Sequence, residues 1–160
     1  MSKIKRHFED GYPYLITTVT HKREPIFSVE RNCKILLVAL EFFKLTLDYK
    51  IFAYCLMPDH LHIILQPAGK YDLSYIMRMI KGNFARKFNL MHGKQGKMWQ
   101  ERFYDTGIRS IDMLLQKIEY IHNNPVRAGI VSRPDQYPFS SYAYYFSTYY
   151  SGIPEIDQYT

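Results

Sequence analysis

Runs of β-branched and aromatic residues predict four strands along the chain. The first run is YPYLITTVTH at residues 12–21, and the second is Ile51–Met57. The third, His60–Gln66, follows the second after a turn-forming Pro-Asp pair, so we expect these two strands to form a hairpin. A short extended stretch at Tyr104–Arg109 is the predicted fourth strand.

Two segments between these strands carry apolar residues at helical spacing. The first is residues 31–49, with Ser28 as the predicted N-cap. Its predicted buried face comprises Ile35, Val38, Phe42 and Leu45. The second is residues 73–91, which begins near Asp72 or Ser74. Its predicted buried face comprises Ile76, Ile80, Phe84 and Phe88.

A third helix is predicted after the last strand. Ser110 caps residues 111–124, and Pro125 is expected to stop the helix. Its aliphatic stripe comprises Leu114, Leu115, Ile118 and Ile121. The glycine- and lysine-containing HGKQGK segment that precedes the fourth strand is expected to be an exposed loop.

The predicted order of elements is β-α-β-β-α-β followed by a helix. This order is typical of an α+β, ferredoxin-like fold, in which a four-stranded antiparallel sheet carries two helices on one face. The chain has 160 residues and no internal repeat, so we expect one domain over residues 1–160. We place its core at about residues 12–133, and we expect the aromatic tail, residues 134–160, to lie over that core.

Composition adds a basic and aromatic character. Lys and Arg number 21 against 15 acidic residues, and aromatic residues make up 16% of the chain. This balance suits a nucleic-acid binder, because cations contact phosphates and rings stack on bases. It equally suits a basic soluble protein with a tyrosine-rich core. Composition alone leaves both interpretations open.

The cysteines and the N-terminus exclude several other classes. Two cysteines, Cys33 and Cys55, exclude a disulfide scaffold and a four-thiolate zinc site. The charged N-terminus has no apolar signal-peptide segment, and the longest apolar run is too short to span a bilayer. We therefore expect a cytoplasmic protein.

The third predicted strand opens with two histidines, His60 and His62. Residues two apart on a strand point to the same side, so both imidazoles project together while Leu61 faces the opposite layer. Two imidazoles on one sheet face are half of a metal site. The competing interpretation is a pair of surface histidines on an exposed strand. Asp59 is interpreted first as a turn former and only second as a partner of the metal ligands.

The third predicted helix carries a tyrosine on its polar side. Tyr120 lies about 200° around the helix from Ile118, and Asn124 lies one turn further along nearly the same face as Tyr120. A solvent-facing tyrosine with an amide at the helix end explains this pattern as well, and from spacing alone we favour that simpler interpretation.

Four sequence segments, taken together and in this order, are more specific for a protein family than the histidine pair or the tyrosine alone. The stretches AYCLMPDHLHIIL, KGNFARKFN, MWQERFYDTGIR and YIHNNPVRAGIV closely resemble the single-tyrosine transposases of bacterial insertion sequences. The histidine-hydrophobe-histidine core of the first stretch resembles the HUH motif of single-strand DNA nucleases. The ending YIHNNPVRAG is most similar to the branch associated with repetitive extragenic palindromes (REP-associated tyrosine transposases).

This resemblance implies a ferredoxin-like enzyme that cleaves and rejoins single-stranded DNA near hairpins through a 5′-phosphotyrosine link. It implies that Tyr120 is the nucleophile and that His60, His62 and Asn124 hold a divalent metal, Mg²⁺ or Mn²⁺. Asn124 stands where the insertion-sequence branch has a glutamine, which is one methylene longer. Insertion-sequence relatives are dimers with shared sites, whereas the palindrome-associated branch can act as a monomer, so a dimer is only slightly favoured.

Two other functions compete with this expectation. A ferredoxin-like nucleic-acid-binding module without catalysis would also use a basic, aromatic surface. Hydrolysis by a metal-activated water would leave free 5′-phosphates instead of a protein adduct.

Cations and rings supply the candidate DNA contacts. These residues are Arg78, Lys81, Arg86, Lys87, Lys97, Trp99, Arg102, Arg109 and Arg127. Phe103 is expected in the core, and Trp99 is left between core packing and base stacking.

Overall fold

The computed structural model describes residues 8–9, 11–147 and 152–159. The four strands are β1 (Tyr14–Val19), β2 (Tyr49–Met57), β3 (His60–Pro67) and β4 (Tyr104–Gly107). The helices are α1 (Glu30–Leu47), α2 (Leu73–His92), α3 (Ile111–His122), α4 (Asn124–Arg127) and α5 (Tyr142–Phe146). Short 3₁₀ turns lie at His21–Arg23, Ile26–Ser28 and Pro134–Gln136.

The strands form one antiparallel sheet in the order β2-β3-β1-β4. This arrangement confirms the predicted ferredoxin-like fold. The β2–β3 hairpin is also confirmed, because Met57 pairs with His60 across a turn at Pro58 and Asp59. β1 and β3 occupy the centre of the sheet, and β4 is an edge strand.

One face of the sheet packs against α1 and α2 and forms the larger core. The predicted face of α2 is confirmed, since Ile76, Ile80 and Phe84 are buried there. Asp72 caps this helix by accepting a hydrogen bond from the backbone N–H of Tyr75. The Asp72 carboxylate thereby provides an acceptor for one of the first-turn N–H groups, which have no carbonyl partner within the helix.

Trp99 belongs to this core, which contradicts its candidacy as a base-stacking residue. It is buried together with Phe103. Its indole Nε1 donates to the carbonyl oxygen of Lys81, 3.1 Å away. A ring enclosed by Phe27 and Phe84 has no face left for a nucleotide.

The predicted buried face of α1 was wrong. Val38, Phe42 and Leu45 are exposed, and Ile35 is only partly buried. The buried stripe instead comprises Cys33, Leu36, Leu37, Leu40, Phe43 and Leu47. This helix carries apolar residues on two sides, so helical spacing fits either stripe and only the packing partner selects one. The predicted Ser28 cap was wrong as well, since Val29 precedes the helix and makes no side-chain capping bond.

The opposite face of the sheet packs against α3 and forms a smaller core. Leu114, Ile118 and Ile121 pack there against residues of β2 and β3, whereas Leu115 is exposed and was wrongly placed in the aliphatic stripe. Ser110 caps α3 as predicted.

Pro125 does not stop the helical path as predicted. α3 ends at His122, and α4 starts at Asn124 with Pro125 in its first turn. Proline is tolerated in a first helical turn, where no intrahelical N–H bond is required.

The segment after Arg133 lies against the outer strand β2. The hydroxyl groups of Tyr137 and Tyr145 donate to the carbonyl oxygens of Leu56 and Phe52. The backbone N–H of Ser141 donates to Tyr54 O, 3.0 Å away. The tail therefore hydrogen-bonds to the free edge of β2, where Cys55 and Ser140 form an antiparallel bridge. Within the described ranges, no helix is long and apolar enough to cross a membrane.

The buried face of α1 predicts that a Leu→Ala substitution lowers the free energy of unfolding by different amounts on the two sides of this helix. Leu40→Ala removes a fully buried side chain and should lower the free energy of unfolding by about 2–5 kcal/mol. Leu45→Ala, at a position 75% exposed, should change it by less than about 0.5 kcal/mol. Urea unfolding followed by circular dichroism measures both variants. Equal costs would contradict this assignment of the buried face.

Candidate active site

Two histidines project from the start of β3 toward α3. Leu61 between them is buried in the larger core, as strand alternation predicts. The imidazole rings of His60 and His62 lie 4.7 Å apart between centroids, nearly at right angles. The two side chains therefore occupy one small region of the sheet face.

His62 is held from both ring nitrogens. Its Nδ1 lies 2.7 Å from the hydroxyl of Thr17 on β1, and its Nε2 lies 2.9 Å from Nδ2 of Asn124 on α4. Asn124 donates to Nε2, so Nδ1 carries the proton and donates to Thr17. Burial, aided by the nearby charges of His60 and Arg127, lowers the pKa of His62 from 6.5 to about 3. The ring is therefore neutral at physiological pH, with the Nε2 lone pair directed at Asn124.

His60 is oriented by the turn that precedes it. Its Nδ1 lies 2.6 Å from Oδ1 of Asp59, and Asp59 Oδ2 also accepts a hydrogen bond from Arg23 at 3.2 Å. Burial raises the pKa of Asp59, but the hydrogen bonds and charges of His60 and Arg23 outweigh it and leave that pKa lowered. Asp59 forms the turn, as predicted, and its carboxylate also orients His60. It sits in the turn and not on the strand, so alternation does not direct it away from His60.

These side chains fit a divalent cation. A carboxylate or hydroxyl on Nδ1 fixes the tautomer that leaves Nε2 as a metal ligand, which is the usual outer-shell arrangement around metal-binding histidines. A half-turn of the Asn124 amide would present its carbonyl oxygen in place of Nδ2. Among the described residues, no group of three His, Cys, Asp or Glu could hold a metal ion. A cation at this cluster would therefore have two imidazoles and an amide as its protein ligands.

The cysteines contribute no ligand or nucleophile. Both are free and buried, and burial raises the pKa of each thiol to about 12. A protonated thiol is a poor ligand and a poor nucleophile.

Tyr120 stands beside this cluster. Its side chain is half exposed, and its ring centroid lies 6.0 Å from that of His62. The guanidinium of Arg127 lies over the Tyr120 ring, 4.2 Å from the centroid, and Nη2 donates to the Tyr120 carbonyl oxygen at 2.8 Å. The ammonium group of Lys117 lies 6.0 Å from the same centroid. The Tyr120 ring thus has His62 and two cations as neighbours.

The other predicted DNA-contact residues are dispersed. Lys97 and Arg102 are exposed on the segment that precedes β4. Arg86 and Lys87 are exposed on α2, which covers the face of the sheet opposite His62.

Other candidate cations already have partners within the fold. Lys81 is partly buried and donates to Gln100 O. Arg78 lies over the Tyr75 ring, and Arg109 pairs with Glu9 and lies over Tyr12. Of the nine candidates, Arg127 contacts Tyr120 of the histidine–tyrosine cluster.

Sequence reasoning missed Thr17 and Arg23. Thr17 reaches His62 only because β1 pairs with β3 in a register that no local pattern reveals. Arg23 lies in a short 3₁₀ turn and has φ 53, so its approach to Asp59 depends on a turn geometry that the sequence does not specify. A covarying pair in an alignment is the kind of signal that would reveal either contact.

His122 on α3 has a structural role. Nε2 of His122 lies within hydrogen-bond distance of the Ser141 hydroxyl, 2.8 Å away. Burial lowers the pKa of His122 from 6.5 to about 4. This neutral imidazole ties the aromatic tail to α3.

Comparisons with known proteins agree with one another. The model of the family described as "Transposase IS200 like" matches residues 10–124. The REP-associated tyrosine transposase of Escherichia coli (strain K12) is 28% identical over 144 residues, covering 89% of this chain and 83% of that protein. A Haemophilus influenzae protein that is also named as a REP-associated tyrosine transposase is 28% identical over 159 residues. This match covers 89% of this chain and 86% of that protein. A solved structure of a REP-associated tyrosine transposase bound to a REP hairpin matches with a TM-score of 0.75 at 24% sequence identity. The match covers 100% of this chain and 96% of that chain, and it shows that the two share a fold.

Because His62 and His122 are buried and neutral, we expect the free energy of unfolding to decrease in acid. His62 and His122 bind no proton in the folded chain until the pH approaches about 3 and about 4, whereas each takes one near pH 6.5 when unfolded. The free energy of unfolding should therefore fall as the pH drops below 6.5. Between pH 7 and pH 5, the wild type should lose about 2 kcal/mol more than His122→Gln.

Urea unfolding at both pH values, with a chelator present, measures this difference. Any cost of the substitution itself is an offset common to both pH values and cancels. Parallel losses in the two proteins would refute the assignment of His122 as a buried neutral group.

Proposed function

The chain belongs to the IS200-like transposase family, and we propose that it cuts and rejoins single-stranded DNA beside hairpins through a covalent bond to Tyr120. The observation that carries this proposal is the cluster itself: the Tyr120 ring lies 6.0 Å from His62, with His60 and Asn124 adjoining. Relatives named for REP elements, and a structural neighbour described with a REP hairpin, support palindromic hairpin DNA as the substrate.

The proposed chemistry is an exchange of phosphodiester bonds. The phenol oxygen of Tyr120 attacks the scissile phosphorus and loses its proton, the bond from phosphorus to the 3′ oxygen breaks, and the departing 3′ oxygen takes up a proton. The product is a 5′-phosphotyrosine with a free 3′-hydroxyl. Attack by a 3′-hydroxyl on the phosphotyrosine reverses these changes and joins the strands. No nucleotide hydrolysis is needed, because each step conserves one phosphodiester bond.

His60, His62 and Asn124 would hold a divalent cation, Mg²⁺ or Mn²⁺, which when bound would polarise the phosphate and neutralise charge at its oxygens. Asp59 and Thr17 keep the two imidazoles in the tautomer that this task requires. The depressed pKa of His62 keeps its Nε2 unprotonated across the physiological range.

A single chain supplies every proposed group. β3 contributes the histidines, and α3 and α4 contribute Tyr120 and Asn124. The slight preference for a dimer with shared sites is not needed to explain this geometry. We therefore propose that a monomer is sufficient and that Tyr120 acts beside its own histidines.

Tyr120→Phe should abolish covalent attachment to DNA while leaving the fold and DNA affinity unchanged. The substitution removes only the hydroxyl of a half-exposed ring. The measurement is a denaturing gel of the protein mixed with Mn²⁺ and hairpin oligonucleotides from palindromes beside its gene. A slow band in the wild type, lost in the variant and with a chelator, is the expected result.

Mixing Tyr120→Phe with His60→Ala tests the single-chain site in the same assay. Neither variant nor the mixture should form the adduct, whereas a site shared between subunits would recover activity in the mixture. Free 5′-phosphates without an adduct would indicate hydrolysis by activated water. Tight, salt-sensitive binding with no cleavage of any hairpin would indicate the non-catalytic binding module.

Arg127 is proposed to orient the nucleophile and to contact the phosphate. One face of its guanidinium covers the Tyr120 ring, and one N–H holds the Tyr120 carbonyl oxygen. A guanidinium has five N–H donors, so stacking leaves edge donors free for a phosphate oxygen. Lysine keeps the charge but cannot provide the planar stack.

Arg127→Lys should therefore retain most of the DNA affinity but slow adduct formation by about tenfold or more, because the nucleophile is less well oriented. Arg133→Ala is the matched control, since Arg133 is an exposed arginine whose side chain pairs with Asp135 away from the site. Single-turnover gels give the rate, and filter binding in a Tyr120→Phe background gives the affinity. A normal rate in Arg127→Lys would exclude the orienting role.

A further inference from the structure

α3 leaves one corner of its sheet face uncovered. The smaller core extends from Leu15 and Leu114 across to β2 and β3, where Ile118 and Ile121 pack. On β4, in contrast, Tyr104 and Thr106 are exposed. The open corner therefore lies over β4 and Thr17 of β1, beside the part of β3 that carries the histidines.

Strand register connects this corner to the active site. His62 pairs with Thr17, and Thr17 pairs with Tyr104. Directly paired residues of antiparallel strands project from the same face, and the contact of Thr17 with His62 identifies that face as the α3 side. Two strand spacings of about 4.8 Å place the backbones of His62 and Tyr104 about 10 Å apart.

Tyr104 presents its ring to solvent in this corner. Its side chain is 67% exposed, although it stands on a paired strand next to the central strand β1. Stacking against an aromatic ring removes apolar surface from water and is therefore favourable. Unpaired bases stack on such rings with little dependence on sequence. Trp99, the other stacking candidate nearby in sequence, is buried.

We propose that Tyr104 is a stacking platform for an unpaired base next to the scissile phosphate, and that the open corner is the path of the single strand. This inference rests on the proposed function, since the histidine–tyrosine cluster fixes where the phosphate lies. The ligand class is an unpaired nucleobase of DNA. The phenol ring makes the contact, so its hydroxyl is dispensable.

The test measures adduct formation at limiting hairpin oligonucleotide with Mn²⁺, as for the wild type. Tyr104→Ala should lower the rate by roughly tenfold, with recovery at saturating DNA, because stacking contributes to binding and not to the chemical step. Tyr104→Phe should react like the wild type. Tyr12→Ala, at an exposed tyrosine at the opposite end of the sheet, is the matched control and should not differ from the wild type.

Photocrosslinking gives a readout that a structural role would not produce. Oligonucleotides with 5-iodouracil at successive positions around the cleavage site should crosslink to residue 104 from one position, and Tyr104→Ala should abolish that product. Unchanged rates and no crosslink in a wild type that does form the adduct would overturn this inference alone. Absence of the adduct in the wild type would count against the proposed function itself.

Discussion

The pairing of β1 with β3 determines the rest of the site. Both are central strands, and their register places Thr17 opposite His62. A shift by one residue would turn Leu61 outward and both imidazoles into the larger core. The cost of exposing Leu61 and Ile63, which are fully buried, keeps the strands in register. The same packing that stabilises the sheet thereby aims the histidines at α3.

The strands, the hairpin and the face of α2 could be predicted from sequence because alternation and helical spacing report on local burial. The face of α1 could not, since Val38 and Leu45 are as apolar as the buried Leu36 and Leu40. The His60–His62 pair follows from alternation alone. The partners Thr17, Asp59 and Arg23 do not, because register and turn geometry bring them together from separate segments. Tyr120 and Asn124 were assigned by resemblance, since their spacing alone equally described a solvated helix end.

Burial of His62 has opposite effects on stability and on chemistry. A buried neutral imidazole lowers stability in acid, because the unfolded chain binds a proton that the folded chain does not. The same burial keeps the Nε2 lone pair available at neutral pH. Thr17 and Asn124 satisfy both nitrogens, so the ring carries no unpaired polar atom into the core. The ring is thus held in one orientation, and a cation would take the place of the Asn124 N–H at Nε2 after the half-turn of that amide.

The break between α3 and α4 determines where the Asn124 amide lies. α3 ends at His122, and the chain starts a new turn at Asn124 with Pro125 in its first turn. From this position Nδ2 of the Asn124 amide lies 2.9 Å from Nε2 of His62. The same new turn carries Arg127 back over the Tyr120 ring. The interruption of the helical path thus places an amide on His62 and a cation over the Tyr120 ring.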